Sequence, residues 1–278
     1  MSTIRILSTD EIRSLVSMNE AISLMRDAFS ELSSGGAIVP QRLAMEMHPE
    51  NSRALLMPAY SARMRRYVTK IVTLAGNNPV KGFPFIQGLL ILFDSDRGVP
   101  LALMDAGYVT ALRTGAASGL ATDLLARRNS QVAVIFGAGV QARTQLEGIA
   151  SVRKLEEVYV YSPVNADSER YADEMGKKLN LSVVVAQSPA IAAKADIICT
   201  ATTSGVPVFS DADVKPGTHI NGIGSYKPTL REIPSETIKR SSVVVDSRAS
   251  ALAEAGDLII PISEGVIAEK HICAELGE

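Results

Sequence analysis

The chain has 278 residues, 46% hydrophobic and 21% charged, with a formal net charge of −2. This is the composition of a globular protein with room for two domains, and it argues against a nucleic-acid binder that relies on bulk positive charge. No apolar stretch reaches the roughly 18 residues of a membrane span, residues 1–11 lack a signal-peptide core, and the two cysteines, Cys199 and Cys273, cannot form a disulfide framework; a cytoplasmic protein is expected, with neither membrane nor nucleic acid as partner.

Ser8-Thr9-Asp10-Glu11 carries the residue types of a helix start. Ile22, Met25, Phe29 and Leu32 follow at helical spacing until Gly35-Gly36. From Arg42 the period becomes two, with Leu43, Met45 and Met47 alternating with Arg42, Ala44 and Glu46 as in a half-buried strand. Further strands are expected at residues 54–57, 67–74, 85–93 and 99–104, the last two joined by the hairpin loop Asp94–Gly98. A helix pair followed by an antiparallel sheet is the reading of this first part. Residues 108–127 form a helix rich in small residues (Ala111, Gly115, Ala116, Gly119, Ala121), which suits close packing against a neighbour.

Beyond Asn129 the pattern alternates strand and helix, with strands expected at residues 131–136, 158–161, 182–185, 196–201, 218–223 and 243–246. Such alternation predicts a doubly wound parallel sheet with right-handed crossovers. The fold class is therefore α/β: a Rossmann domain over residues 116–278, preceded by an α+β domain over residues 1–115.

The first strand of that alternation ends in Gly137-Ala-Gly-Val-Gln-Ala142, a G-x-G-x-x-A dinucleotide turn in its expected strand-to-helix setting. Gly137 permits the tight turn, Gly139 lets backbone approach a pyrophosphate, and Ala142 lets the helix pack on the strand. The helix N-terminus offers free N–H groups and a positive dipole end. Gly137, Ala138, Gly139, Val140 and Gln141 are the candidate cofactor residues here. Ligands of such sheets lie beyond the carboxyl ends of the strands, which adds Ser162, Thr200, Ala201, Thr202 and Ile223. The second strand ends in Ser162-Pro163-Val164-Asn165, without the usual ribose-binding carboxylate. Nothing there repels a 2′-phosphate, so NADP is favoured over NAD, with Arg170 a weak phosphate ligand and use of both cofactors the alternative.

Arg42, Arg53, Lys70 and Arg113 stand out upstream of this turn. Lys70 shares a strand face with Val68, Val72 and Leu74. A buried ammonium without a partner is costly, and a pocket for an anionic substrate would explain it. Arg113 lies among small residues, and its planar guanidinium suits a carboxylate. The alternative for both is an internal salt bridge to Asp105 or Glu46. His48, His219 and His271 fall in no dyad or metal spacing, so no metal is expected.

The motifs together resemble the ornithine cyclodeaminase/mu-crystallin family. The matching stretches are Leu55-Leu-Met-Pro-Ala59, Lys70-Ile-Val72, Gly88 to Asp105, Ala111-Leu-Arg-Thr-Gly-Ala116, Phe136 to Ala142, Ala195 to Thr200, His219 to Gly224 and Glu254-Ala-Gly-Asp257. The resemblance implies a substrate-binding and dimerisation domain joined to a Rossmann domain, and a homodimer. It implies NAD(P)H-dependent reduction of cyclic or linear imines, as in a Δ1-pyrroline-2-carboxylate reductase, or alanine dehydrogenase chemistry; cyclisation of ornithine to proline with loss of ammonia, or non-catalytic ligand binding, are the alternatives. Lys70 and Arg113 then match catalytic positions and Arg42 a substrate-carboxylate position, and Arg53 lies near a substrate arginine of the alanine dehydrogenase branch. Two carboxylates of the cyclodeaminases are replaced, one by Leu55 and the other by Tyr226, which becomes a candidate substrate contact. Family members usually continue a few dozen residues past the point matching Glu275-Leu276-Gly277, so a chain ending at Glu278 reads as a shortened member.

Overall fold

The computed structural model describes residues 3–48 and 51–278. The chain divides into two compact units, one running to Arg113 and including Gly277–Glu278, the other Thr114–Leu276.

The first unit is built on a seven-stranded sheet. Its elements are β1 (Arg5–Leu7), α1 (Thr9–Leu15), α2 (Met18–Ser33), β2 (Ala37–Ile38), β3 (Leu43–Met47), β4 (Ser52–Ser61), β5 (Arg66–Ala75), β6 (Ile86–Asp94) and β7 (Pro100–Asp105). Both helices begin in capping boxes. Ser8 and Glu11 cap each other's backbone at α1, and Ser17 and Glu20 do so at α2. Strands β4 to β7 form the expected antiparallel meander, with a turn at Asp94 held by Oδ1 accepting the Asp96 and Arg97 N–H groups. Two pairings were not legible in the sequence: β1 joins the edge of the sheet parallel to β7, and β2 pairs with β4.

Register assigns the two faces of this sheet. Leu55 pairs with Val72 and Met57 with Lys70, which places these four on one face; Leu55, Val72 and Ala106 form a buried cluster there. The row Leu43–Leu56–Ile71–Leu89 crosses the opposite face. Leu43, Ile71 and Leu89 are 60%, 38% and 52% exposed. The expectation that Leu43 and Met45 turn inward is thus corrected: β3 pairs only with β4 and carries both side chains on the open face.

Helix α3 (Ala106–Leu125) contains the division between the units. The second unit continues with β8 (Val132–Phe136), α4 (Val140–Val152), β9 (Glu157–Tyr161), α5 (Asn165–Leu179), β10 (Val183–Val185), β11 (Ile197–Thr200), β12 (His219–Gly222), α6 (Ser235–Lys239), β13 (Val243–Val245), α7 (Arg248–Glu254), α8 (Gly256–Ser263) and β14 (Ile272–Glu275). Five strands form a parallel sheet in the order β10-β9-β8-β11-β12, which reverses direction at β8 as a doubly wound sheet does. In β8, Ala133 and Ile135 enter one core cluster and Val134 and Phe136 the other, so both faces are covered. Two expectations change. The strand at Val243 leaves this sheet and pairs with β14, because an apolar triplet does not specify its partner. Short 3-10 turns, not α-helices, precede β11 and β12.

The small residues of α3 meet α4 at close range. A Cβ on Gly115 would lie 2.2 Å from the Thr144 carbonyl oxygen, and one on Gly148 would lie 2.1 Å from that of Gly115. Arg153, almost wholly buried, closes the end of α3 by donating to the carbonyls of Thr122, Asp123, Ala126 and Arg127 at 2.8–3.2 Å. It satisfies the carbonyls that a helix C-terminus leaves over and places a cation at the negative dipole end.

Candidate active site

In the first unit the chemistry gathers around Lys70. The strand period places it beside Val72 on the covered face of β5, where loss of hydration disfavours its charged form. Arg113 and Arg42 add like charge. Desolvation, then Arg113, then Arg42 pull the ammonium down to about 8. No carboxylate among the described residues offsets it. Of the two candidate partners, Glu46 pairs with Arg53 across β3 and β4 at 2.8 Å, and Asp105 accepts the Tyr108 N–H at the start of α3. The structure brings Arg42, Lys70 and Arg113 into one electrostatic cluster, and it holds Arg53 in an ion pair. Leu55, at the place of a family glutamate, is buried in the apolar cluster with Val72.

In the second unit the glycine turn has the geometry its spacing implies. Gly137 has φ +103°, and its N–H donates to the Tyr161 carbonyl at 2.9 Å. A Cβ there would stand 2.6 Å from the Ala201 carbonyl oxygen. Gly139 is the N-cap of α4 in ordinary extended backbone, and a Cβ added to it would meet nothing within 4 Å. Ala142 is fully buried and Val140 is 68% exposed. The Gln141 Oε1 is buried with no hydrogen-bond partner among the described residues. A helix N-terminus without a side-chain cap, an open cradle at Gly139 and an orphaned acceptor together fit a dinucleotide's pyrophosphate.

After β9, the Ser162 hydroxyl accepts the Val164 N–H, and Arg170 is paired with Asp167. Thr200, fully buried, ends β11, and half-buried Ala201 and Thr202 open the loop behind it. Ile223 follows β12 and donates its N–H to the Thr200 carbonyl at 2.9 Å. Half-buried Tyr226 lies beneath the Lys227 ammonium, 5.6 Å from its ring centre.

Two charged residues near these loops, Glu232 and Arg143, escaped the sequence reading, and a third, Asp257, lies in the matched stretch Glu254-Ala-Gly-Asp257 at the start of α8. Glu232 is fully buried; its Oε1 accepts the Thr202 N–H and its Oε2 the Gly224 N–H, both at 2.6 Å. Burial raises its carboxyl above the usual range against those hydrogen bonds. Asp257 accepts the N–H groups of Glu232 and Ile233 on Oδ1, at 2.7 and 2.9 Å, and burial raises it to about 6. Arg143 donates to the carbonyls of Ala138 and Gly139 at 2.6 and 3.0 Å and pairs with Glu174. The one legible signal was Arg143, a cation in the first turn of a helix, where the macrodipole disfavours it.

A sequence profile of the ornithine cyclodeaminase/mu-crystallin family matches residues 3–278. The chain belongs to this family. It is 38% identical over 275 residues to a Δ1-pyrroline-2-carboxylate reductase of Bacillus cereus, covering 98% of this chain and 84% of that one. The solved Δ1-pyrroline-2-carboxylate reductase of Thermococcus litoralis, in complex with NADH and L-proline, superposes with a TM-score of 0.95 at 43% identity, covering 99% of this chain and 85% of that one. An archaeal alanine dehydrogenase dimer with bound NAD gives 0.92 at 34% identity, covering 99% and 84%. Among the described residues, no helix is long and apolar enough to cross a membrane, and no group of three or more metal-ligating side chains is present.

Proposed function

We propose that the chain is an NAD(P)H-dependent reductase of small cyclic imino acids, with Δ1-pyrroline-2-carboxylate the leading substrate. The observation that carries this is Lys70: an ammonium on an apolar face, crowded by Arg113 and Arg42, with no offsetting carboxylate. Such an ammonium calls for an anion, and a compact imino acid supplies one. Its carboxylate would lie on Arg42 and Arg113, the guanidinium of each suited to bidentate contact. Lys70, with both protonation states populated near pH 8, would orient the imine and pass it a proton. The bound nicotinamide supplies the hydride; Gly137 to Gln141, Ser162, Thr200 to Thr202 and Ile223 would hold the cofactor. Tyr226 and Arg53 are further candidate substrate contacts in this assignment. With no carboxylate after β9 and Arg170 engaged by Asp167, either reduced cofactor can serve.

Leu55 argues against cyclodeamination. A buried isobutyl group beside Val72 cannot accept the δ-amino group of ornithine. The open apolar row Leu43–Leu56–Ile71–Leu89 is the proposed contact of a homodimer, in keeping with the dimeric alanine dehydrogenase relative. The free thiols Cys199 and Cys273 suit a cytoplasmic setting.

One panel tests the assignment: purified protein with NADH or NADPH and, in turn, Δ1-pyrroline-2-carboxylate, Δ1-piperideine-2-carboxylate, pyruvate plus ammonia, or ornithine. Stoichiometric loss of reduced-cofactor absorbance with a cyclic imine is expected. Ammonia from ornithine without net reduction would overturn the reductase in favour of a cyclodeaminase, and turnover confined to pyruvate plus ammonia would make the chain an alanine dehydrogenase. Sedimentation of the same sample at the mass of one chain would remove the dimer.

A further inference from the structure

The loops after β11 and β12 leave the carboxyl ends of two adjacent parallel strands. This is the second half of a doubly wound sheet, where the far nucleotide of a dinucleotide binds. Glu232 is shared by the two loops: one carboxylate oxygen takes the Thr202 N–H and the other the Gly224 N–H. The fit around it is close. A Cβ on Gly224 would lie 2.3 Å from the Thr202 carbonyl oxygen and 2.4 Å from Glu232 Oε2. Asp257 in turn fixes the Glu232 backbone, and the Ser225 hydroxyl joins the Asp257 N–H to the Leu230 carbonyl.

A carboxylate is an expensive choice for fastening two loops, since burial disfavours its charge. A neutral side chain could close the same space. What the carboxylate adds is geometric: it accepts at both oxygens, so it fixes the separation of two donors that each belong to a different loop. We propose that Glu232 is a positioning residue for the nicotinamide end of the cofactor, holding the loops of Thr202 and Gly224 at a set distance before the cofactor arrives. This rests on the reductase assignment above.

Glu232→Gln is the direct test. The amide keeps one acceptor and turns an N–H toward the other loop's donor, so one fastening is lost. Misplacing a reacting centre by about 1 Å can lower turnover roughly a hundredfold. The variant should lose about tenfold or more in kcat. Its affinity for NADH, anchored by the glycine turn, should change only a few-fold. The deuterium isotope effect with 4-deuterated NADH should rise as hydride transfer becomes limiting. Arg153→Ala, which loosens the same unit away from these loops, should lower Tm and leave kcat and the isotope effect at wild-type values. Wild-type kcat and isotope effect in Glu232→Gln, or the same kinetic loss in Arg153→Ala, overturn the proposal. Should Glu232→Gln fail to fold, hydrogen exchange on the wild-type protein decides: the Thr202 and Gly224 amides should be protected without cofactor, and free exchange at both while β11 stays protected rules the clamp out. A wild-type protein inactive on every imine of the panel sinks the reductase assignment, whereas an active wild type with an indifferent Glu232→Gln sinks this proposal alone.

Discussion

Alanine at Gly137 and alanine at Gly139 should fail in different ways. At Gly137 the backbone has φ +103°, and the new Cβ would sit 2.6 Å from the Ala201 carbonyl oxygen and 3.0 Å from its carbon. Both are main-chain atoms, so relief requires β8 and the loop after β11 to move apart. A non-glycine residue at such a φ costs about 1–2 kcal/mol, and overpacking adds about 1–3. For a unit of this size that lowers Tm by roughly 5–15 °C. At Gly139 the backbone is extended and a Cβ meets nothing within 4 Å. The exchange of one N-cap residue for another without a capping side chain should stay within about 1 kcal/mol, a few degrees at most. The methyl group would instead occupy the cradle at the start of α4. Loss of one charge-assisted bond to a phosphate is worth about 1.5–3 kcal/mol, so the NADH Kd should rise roughly ten- to a hundredfold. Thermal melting and titration of NADH fluorescence, run on both variants, separate the two effects. A Gly139→Ala protein that binds NADH with wild-type affinity, or that melts as low as Gly137→Ala, would refute the assignment of the cradle to the pyrophosphate.

Lys70→Met should lower turnover by at least about a hundredfold, the usual contribution of a positioned proton donor, with the NADH Kd nearly unchanged by fluorescence; near-normal turnover removes its role. Because burial, and after it crowding by Arg113 and Arg42, hold Lys70 at about 8, kcat/KM for imine reduction should fall as pH rises through that value, when the ammonium is lost. Replacing Arg113 by Met removes one of the charges that lower it, so in a full pH profile the alkaline limb should move up; a shift down would contradict the cluster. Arg153→Ala strands several carbonyls at the end of α3 and should cost about 3 kcal/mol, or roughly 6–12 °C in Tm; a melting temperature within a degree of wild type would show that solvent replaces the guanidinium.

Where the chain's own local chemistry decides a feature, the sequence shows it. The Ser8–Glu11 box, the strand period around Lys70 and the Gly137 turn each depend on residues within a few positions. A second box, Ser17-Met-Asn-Glu20, was equally readable by the same rule. What stayed hidden depends on partners far along the chain. Residues Arg5–Leu7 are too few to show a period, and only β7 makes them a strand. The triplet at Val243 looks like any buried strand until β14 takes it. The site follows the same division. A lysine on an apolar face is anomalous at sight, and so is a glycine turn. Glu232 and Arg153 are charged residues of types that are mostly exposed, and their burial depends on carbonyls and N–H groups contributed by other loops.

The two units therefore carry charge in contrasting ways. In the first, Lys70 is buried among cations, and its charge opposes folding. In the second, Glu232 and Asp257 are buried too, but their oxygens accept backbone N–H groups, so burial is partly offset by fastening. Both arrangements are poor solutions for stability alone; an apolar residue of similar size at position 70 would relieve the repulsion. Perturbed groups cluster where function requires them, and the contrast separates two requirements. A group that must meet an anionic substrate is left without a protein partner. A group that must fix a loop is given as many partners as it can accept. On that criterion Lys70 belongs with the substrate and Glu232 with the scaffold that presents the cofactor, and replacing Lys70 by Met should raise Tm while replacing Glu232 by Gln should lower it.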